Sequence, residues 1–277
     1  MADSLMRAAV ETSAIVPEKW SANFFDALLV ELAFEALISK DYEGEIQDLG
    51  DTVNISTVPE FDDAGLLDED GRADAEAVTI TGQQLVINKR AYKDFIVTRR
   101  AVLQSLPMMD KLQDLSIYSL LKKMQREIID AIAPVGANAI AYDAGTTLAL
   151  ADLLEGKELL DAANVPGQGR WMVTGSAQTN DIFNITNFTS SDFLLSGAPT
   201  QTGEVPSALL GFQPRMTNEA GAVTYLFHGS FMTVATQDGM RVQQYDLGVD
   251  GKRATRVNVD TLFGLKQLDG NRVVTIS

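Results

Sequence analysis

The sequence predicts a mixed α+β fold in which an extended arm and a long hairpin project from a body built on one long helix. Two observations predict it. Between Ser105 and Pro134 apolar residues recur at helical spacing, with Ile117, Leu121, Met124, Ile128 and Ile132 marking an inner stripe. Elsewhere the chain alternates apolar and polar residues in short runs broken by Gly, Asn and Asp, the pattern of strands and turns.

The long helix is expected over about 106–133. Ser105 is a candidate cap, Pro107 and Asp110 suit a first turn, and Pro134 followed by Gly136 stops it. At 1.5 Å per residue such a helix is a rod of roughly 40 Å, a spine for everything around it. A second helix is predicted from Pro17 to Lys40, where Trp20, Phe24, Leu28 and Leu32 recur with Phe25, Leu29 and Leu37 beside them. That apolar face is too wide to be covered on one side, so a neighbouring chain is expected to share it. Residues 1–16 read as an arm.

Residues 44–88 read as a hairpin. Val53 and Ile55 lie on the outgoing strand, and Val78, Ile80, Leu85 and Ile87 on the return. The last four differ in parity, which predicts a bulge near Gly82, because one extra residue flips the inward face. Between the strands, residues 60–76 hold eight acidic side chains against Arg72 alone. So polar a stretch belongs at an exposed tip. The charge then reverses: Lys89, Arg90, Lys93, Arg99 and Arg100 follow, opposed by Asp94.

Beyond the spine, Thr147–Ala163 predicts a further helix and Trp171–Val173 a buried strand. Ser176 is a candidate cap for a short helix ending at Phe183. Residues 187–208, rich in Ser, Thr, Gly and Pro, predict a loop. Strands are expected around Arg215, Tyr225, Val242 and Arg256–Val259, and Leu268–Asn271 is a turn signal between two more.

Composition excludes several function classes. The chain has 277 residues, no cysteine, 45 % hydrophobic residues and a formal charge of −16. Disulfides, thiolate nucleophiles and cysteine metal sites are therefore absent. So acidic a protein repels nucleic acid, which is gripped through phosphate contacts by basic faces. The charge suits a soluble protein, and equally a container wall that does not adsorb polyanionic contents; charge alone does not choose. No window has the ~18 apolar residues of a membrane span, and the first residues lack the basic start and apolar core of a secretion signal. Synthesis in the cytoplasm is the expectation.

Nothing in the motifs argues for an enzyme. The lone histidine, His228, stands in no triad or ligand pattern and reads as structural. Aligning Gly71 with the sixth position of a calcium loop puts Leu66 and Ala77 where ligands belong. Gly167 and Gly169 complete no phosphate loop, and Ser176 lacks the second glycine of a nucleophile elbow. No catalytic, cofactor-binding or metal residue is assigned, and no cofactor is expected.

At the N-terminal end, Val16–Ser21 (VPEKWS), Asp41–Ile46 (DYEGEI) and Gly50–Ile55 (GDTVNI) resemble the recurring opening of tailed-bacteriophage major capsid proteins. The order that follows is also similar to that family, down to a closing Phe263–Lys266 (FGLK) strand. The resemblance spans the chain and implies the Hong Kong 97-type capsid fold. On that pattern 1–43 is the N-terminal arm with its helix and 44–88 the extended hairpin loop. Residues 89–167 form the peripheral domain with the spine, 168–240 the axial domain, and 241–277 the return to the peripheral domain. It implies hexamers and pentamers of this chain closing an icosahedral head around double-stranded DNA that is bound without sequence specificity. It also implies scaffolding and portal proteins, with a decoration protein as an optional partner, and no membrane. Since no scaffold-like extension precedes the arm, the scaffold is expected as a separate protein or as a segment removed from a precursor. A bacterial nanocompartment shell of the same fold and an acidic cytosolic enzyme are the alternatives.

Arm and hairpin carry apolar residues with no evident intramolecular cover, so both are expected to bury them on neighbours. Trp20 and Phe24 are the arm's candidate contacts. The acidic tip residues Glu60, Asp62, Asp63, Asp68, Glu69 and Asp70 are expected to meet basic residues of an adjacent subunit. The candidates are Lys89, Arg90, Lys93, Arg99, Arg100, Lys122, Lys123 and Arg126.

Some members of the family link subunits through an isopeptide bond from a hairpin lysine to a neighbour's asparagine, which needs an amine that can be deprotonated. Here residues 45–88 contain no lysine, and Arg72 keeps its proton. Lys89 and Lys93 lie at the hairpin's base. The shell is therefore expected to be non-covalent. Boiled, detergent-denatured particles should run as one band near 30.0 kDa; a ladder of pentamer- and hexamer-sized bands would overturn this and point to Lys89.

Overall fold

A computed structural model describes residues 32–34, 36–42, 51–57, 77–98, 106–143, 145, 147–185, 188, 209–247 and 254–277, with the side chains of 106–110 excepted. The arm (1–16), Trp20, Phe24, Ser105, the acidic tip, Arg72, Arg99, Arg100 and the loop at 189–208 lie outside them.

The hairpin is present at its base. Strand β1 (Thr52–Thr57) pairs antiparallel with β2 (Thr81–Thr98) in unbroken register, from Thr52 opposite Val86 to Thr57 opposite Thr81. The bulge expected near Gly82 is therefore not there. Val78 and Ile80 precede the strand and are exposed, so they impose no parity conflict with Leu85 and Ile87. The irregularity falls instead between Ile87 and Lys89, where β2 passes from pairing with β1 to pairing with β8 (Ala254–Gln267). At this crossing Gly264 lies so close that a Cβ would stand 2.5 Å from the Val86 carbonyl oxygen. The hairpin base also finds cover within its own chain: Ile55, Leu85 and Ile87 are buried with Ala235, against Tyr42 and Leu262. This corrects the expectation that such residues need a neighbour.

Strand β7 (Met232–Leu247) completes a four-stranded sheet in the order β1-β2-β8-β7. The spine, α1 (Leu106–Asp130), packs on that sheet. Leu120, Met124 and Ile128 are its buried row; Ile117, Leu121 and Ile132 are partly buried. The helix stops at Asp130, short of the expected 133, because the Ala133 backbone is taken by a side chain. Its N–H donates to the Gln267 Oε1 at 2.8 Å and its carbonyl accepts from Nε2 at 2.6 Å.

A second sheet of five strands follows the order β3-β9-β6-β4-β5. These are Ala139–Ile140, Val273–Ile276, Thr224–His228, Arg170–Thr174 and Gln213–Met216 respectively. Helices α2 (Leu150–Ala162) and α3 (Ser176–Asn184) accompany it. Asp152, fully buried, accepts the Ala149 N–H at 2.9 Å at the start of α2. Ser176 does not cap α3. The capping position is Gly175, where a Cβ would stand 2.0 Å from the Gly221 carbonyl oxygen, so only glycine fits. The sheets draw from across the boundaries read from chain order: 139–140 and 273–276 join the sheet of β6 and β4, while β7 of the other sheet begins at Met232.

The helix predicted to reach Lys40 does not. Residues 36–42 run as turns, with Ser39 in a parallel bridge to Thr233. The Ser39 N–H donates to the Gly229 carbonyl and its own carbonyl accepts from Val234, both at 3.1 Å, bonds that a helix would forfeit. Phe34, fully buried, stacks on Phe227 at 5.7 Å and meets Tyr225 edge-on at 5.4 Å. The Phe34 ring is thus covered from within, whereas Trp20, Phe24, Phe25, Leu28 and Leu29 of the predicted apolar face lie outside the described residues.

Burial fixes what truncation should cost. Ile128→Ala, at a fully buried site, should destabilise the unassembled subunit by about 2–5 kcal/mol. Ile96→Ala, at a site 63 % exposed, should change it by less than about 0.5 kcal/mol. Urea unfolding monitored by far-ultraviolet circular dichroism measures both.

Candidate inter-subunit groove

The reversal of charge along the sequence becomes a place in the fold. Lys89, Arg90 and Lys93 lie on β2, and Lys122, Lys123 and Arg126 lie on successive turns of α1. Arg90, Lys93, Lys122, Lys123 and Arg126 line one open groove of about 620 Å³ between strand and helix. Five consecutive residues of β2, Arg90 to Asp94, border it, so the strand presents its edge there. Described strands pair with 87–98 only on the β8 side.

Carboxylates within the chain engage most of these cations. Glu127 accepts from Lys123 at 2.6 Å and also from Lys89. Glu219 accepts from Arg126 at 2.6 Å and Lys122 at 3.0 Å. Arg90 reaches Asp260 on the neighbouring strand, with its Nε at 3.1 Å. Asp94, expected to oppose the basic run, instead pairs with Arg256 and accepts from Asn258 across the strand. Lys93 makes no ion pair with a described residue and is exposed.

The arithmetic leaves the groove basic. One carboxylate shared by two cations carries a residual positive charge, and this occurs at both Glu127 and Glu219. Hydrogen bonds from Lys123 and then Lys89 hold Glu127 below the usual carboxylate range. The Arg126 guanidinium, with Lys122 assisting, does the same for Glu219 and is itself raised in return. Both carboxylates therefore stay ionised at neutral pH, and the Arg126 guanidinium keeps its charge. Chemically the groove can hold an acidic, extended segment; among the described residues no cluster of His, Asp and Glu suits a metal ion.

Glu127 was within reach of sequence reading, as the i+4 partner of Lys123. Glu219 and Asp260 were not, because nothing local marks a partner that far along the chain. Gln125 was missed as well. Fully buried on α1, its Nε2 donates to the Thr217 Oγ1 at 3.0 Å, tying the spine to the loop that carries Glu219.

A family model described as phage capsid protein matches residues 108–277. The chain belongs to the phage capsid protein family. Its function is that of a major capsid protein and its place is the capsid of the virion. A chain of Mycobacterium phage Che8 is similar in fold, with a TM-score of 0.77, 22 % identity, and coverage of 96 % of this chain and 98 % of that one. The capsid of Cyanophage P-SCSP1u gives 0.76 at 12 % identity, covering 94 % and 91 %. The capsid of a native GTA particle gives 0.67 at 11 %, covering 97 % of each. No curated protein sequence matches. The capsid subunit thus has the Hong Kong 97-type fold, and its family membership points to a structural rather than a catalytic role.

The depressed carboxylates set a pH dependence. Each stabilises the fold fully above its unfolded pKa, about 4.3 for Glu, and that contribution is lost as pH falls through the lower folded value. The unassembled capsid subunit should therefore lose thermal stability steeply below about pH 4.5. Glu219→Gln should make that slope shallower while lowering the melting temperature at pH 7. A melting-temperature series that is parallel for wild type and variant would contradict it.

Proposed function

We propose that this capsid subunit assembles in rings of six and five that close an icosahedral head around double-stranded DNA. The subunit is made in the host cytoplasm and works with separate scaffolding and portal proteins and, as an optional partner, a decoration protein. The four-stranded sheet with α1 serves as the peripheral domain, and the five-stranded sheet with α2 and α3 as the axial domain. The net charge of −16 supports a wall that does not adsorb its polyanionic contents.

The observation that carries the contact between subunits is the residual positive charge of the β2–α1 groove in so acidic a chain. Its occupant is the hairpin tip of a neighbouring copy. Residues 60–76 supply eight carboxylates and one arginine, and Glu60, Asp62, Asp63, Asp68, Glu69 and Asp70 face Arg90, Lys93, Lys122, Lys123 and Arg126. Arg99 and Arg100 extend the same basic run, and Trp20 and Phe24 of the arm supply apolar burial. An exposed ion pair contributes only about 0–1 kcal/mol, but repetition at every subunit makes the sum decisive for closure.

Replacing Asp62, Asp63 and Asp68 together by lysine should abolish closed shells in negative-stain micrographs while leaving subunit circular dichroism unchanged. Adding Lys93→Glu should restore part of the assembly. Shells that close normally with the reversed tip would refute the docking, and a protein that forms only stable monomers in the presence of its scaffold would refute the assembly itself.

A further inference from the structure

Two short turns, 229–231 and 268–272, join the two sheets, and the chain's only histidine holds the first. Strand β6 ends at His228, residues Gly229–Phe231 form a 3-10 turn, and β7 starts at Met232. The N-terminal segment crosses the same point: the Gly229 carbonyl accepts the Ser39 N–H at 3.1 Å. A Cβ on Gly229 would stand 2.9 Å from the Leu37 carbonyl oxygen, so the approach requires glycine. Phe231, fully buried in the main core, fills the inside of the turn.

His228 caps this turn as an acceptor. Its Nδ1 receives the Ser230 N–H at 3.2 Å and lies 2.7 Å from the Ser230 Oγ. That hydroxyl oxygen already accepts from the Arg272 Nη1 at 2.6 Å, so its own hydrogen is free to point at Nδ1. The other ring nitrogen is left to donate to the Gln168 carbonyl, beside Gly169, whose positive φ of 77° brings the backbone close to the ring. Only a neutral imidazole, protonated on Nε2, can make this set of bonds. A second proton would put an N–H of the ring against the N–H of Ser230 and remove the cap.

We propose that this junction is a proton-sensitive joint: protonation of His228 uncaps the 229–231 turn and loosens its hold on the 37–41 segment. Charged groups from each neighbouring element oppose or temper the added proton. Arg272, from the 270–272 turn, and Arg170, opposite His228 on β4, disfavour it. Asp269 is occupied by Arg272, at 3.0 Å, and by the Asn271 N–H. Asp41, which lines the cleft beside the ring, is held in its own turn by Ser39 at 2.6 Å. Burial first, and then Arg272, push the imidazole below its ordinary value. The joint is therefore fully capped above about pH 6.5 and opens as pH falls through the lower folded value.

Hydrogen–deuterium exchange of the full chain at about pH 7.5 and about pH 5, where most carboxylates remain ionised, reads the joint directly. After correction for intrinsic rates, peptides covering 37–42 and 229–232 should exchange at least about tenfold faster at the lower pH. His228→Asn keeps an acceptor at the capping position and does not titrate, so its peptides should stay protected at both. Equal protection of the wild type at the two pH values, or the same loss in the variant, would overturn the proposal. Nitrogen-15 NMR of the single labelled imidazole provides a readout without mutation. An unprotonated Nδ1 with a midpoint below about 6.5 is expected; a ring protonated at Nδ1, or titrating above that value, would also overturn it.

Discussion

Burial of the spine's inner row is the constraint on which the rest of the molecule depends. Leu120, Met124 and Ile128 share one cluster with Phe34 of the N-terminal segment, Val257, Val259 and Phe263 of β8, Phe227 of β6 and Phe231 of the connecting turn. The N-terminal segment, the spine and strands of both sheets thus contribute apolar side chains to the same volume. Since interiors are packed as densely as molecular crystals, α1 cannot shift without moving both sheets. The Gln125–Thr217 hydrogen bond adds direction to this burial, because a buried amide without its partner costs more than the bond itself contributes.

The same helix turns its other side to charge, and the two faces do different work. Inside, apolar contact supplies stability; outside, Glu127 and Glu219 fix their cations in place without neutralising them. Such a surface is organised yet still attractive to anions. A groove of free lysines would cost more conformational entropy on binding, since each long side chain would have to be ordered at that moment. The intramolecular pairs have ordered most of them beforehand.

Local signals in the sequence predict the elements that depend on local physics. The spine's periodicity, the strand at Arg170–Thr174 and the turn at Leu268–Asn271 all appear where neighbouring residues alone would place them. The misses share a cause. The Gly82 bulge, the Ser176 cap and a helix reaching Lys40 were each reasonable locally, and each was overruled by a long-range partner: β8 at Ile87, Gly221 against Gly175, and Gly229 with Val234 against Ser39. For the groove, the cations were legible as a cluster because charge runs are visible in sequence. Their carboxylate partners Glu219 and Asp260 come from distant segments, so no local pattern encodes them.

The continuity of β2 has a mechanical consequence. One strand of 18 residues, about 60 Å at the usual rise, runs from the hairpin into the body and lies beneath the spine without a hinge loop. A pull on the hairpin is therefore delivered along the strand axis. It loads the ladder from Lys89 to Thr98 against β8 in shear, all of its hydrogen bonds at once and not one after another. The irregularity between Ile87 and Lys89 is where that rod can bend. The hairpin's base thus behaves as a stiff lever with one compliant point at its root, so tension reaching it is carried through ordered sheet into the body of the subunit.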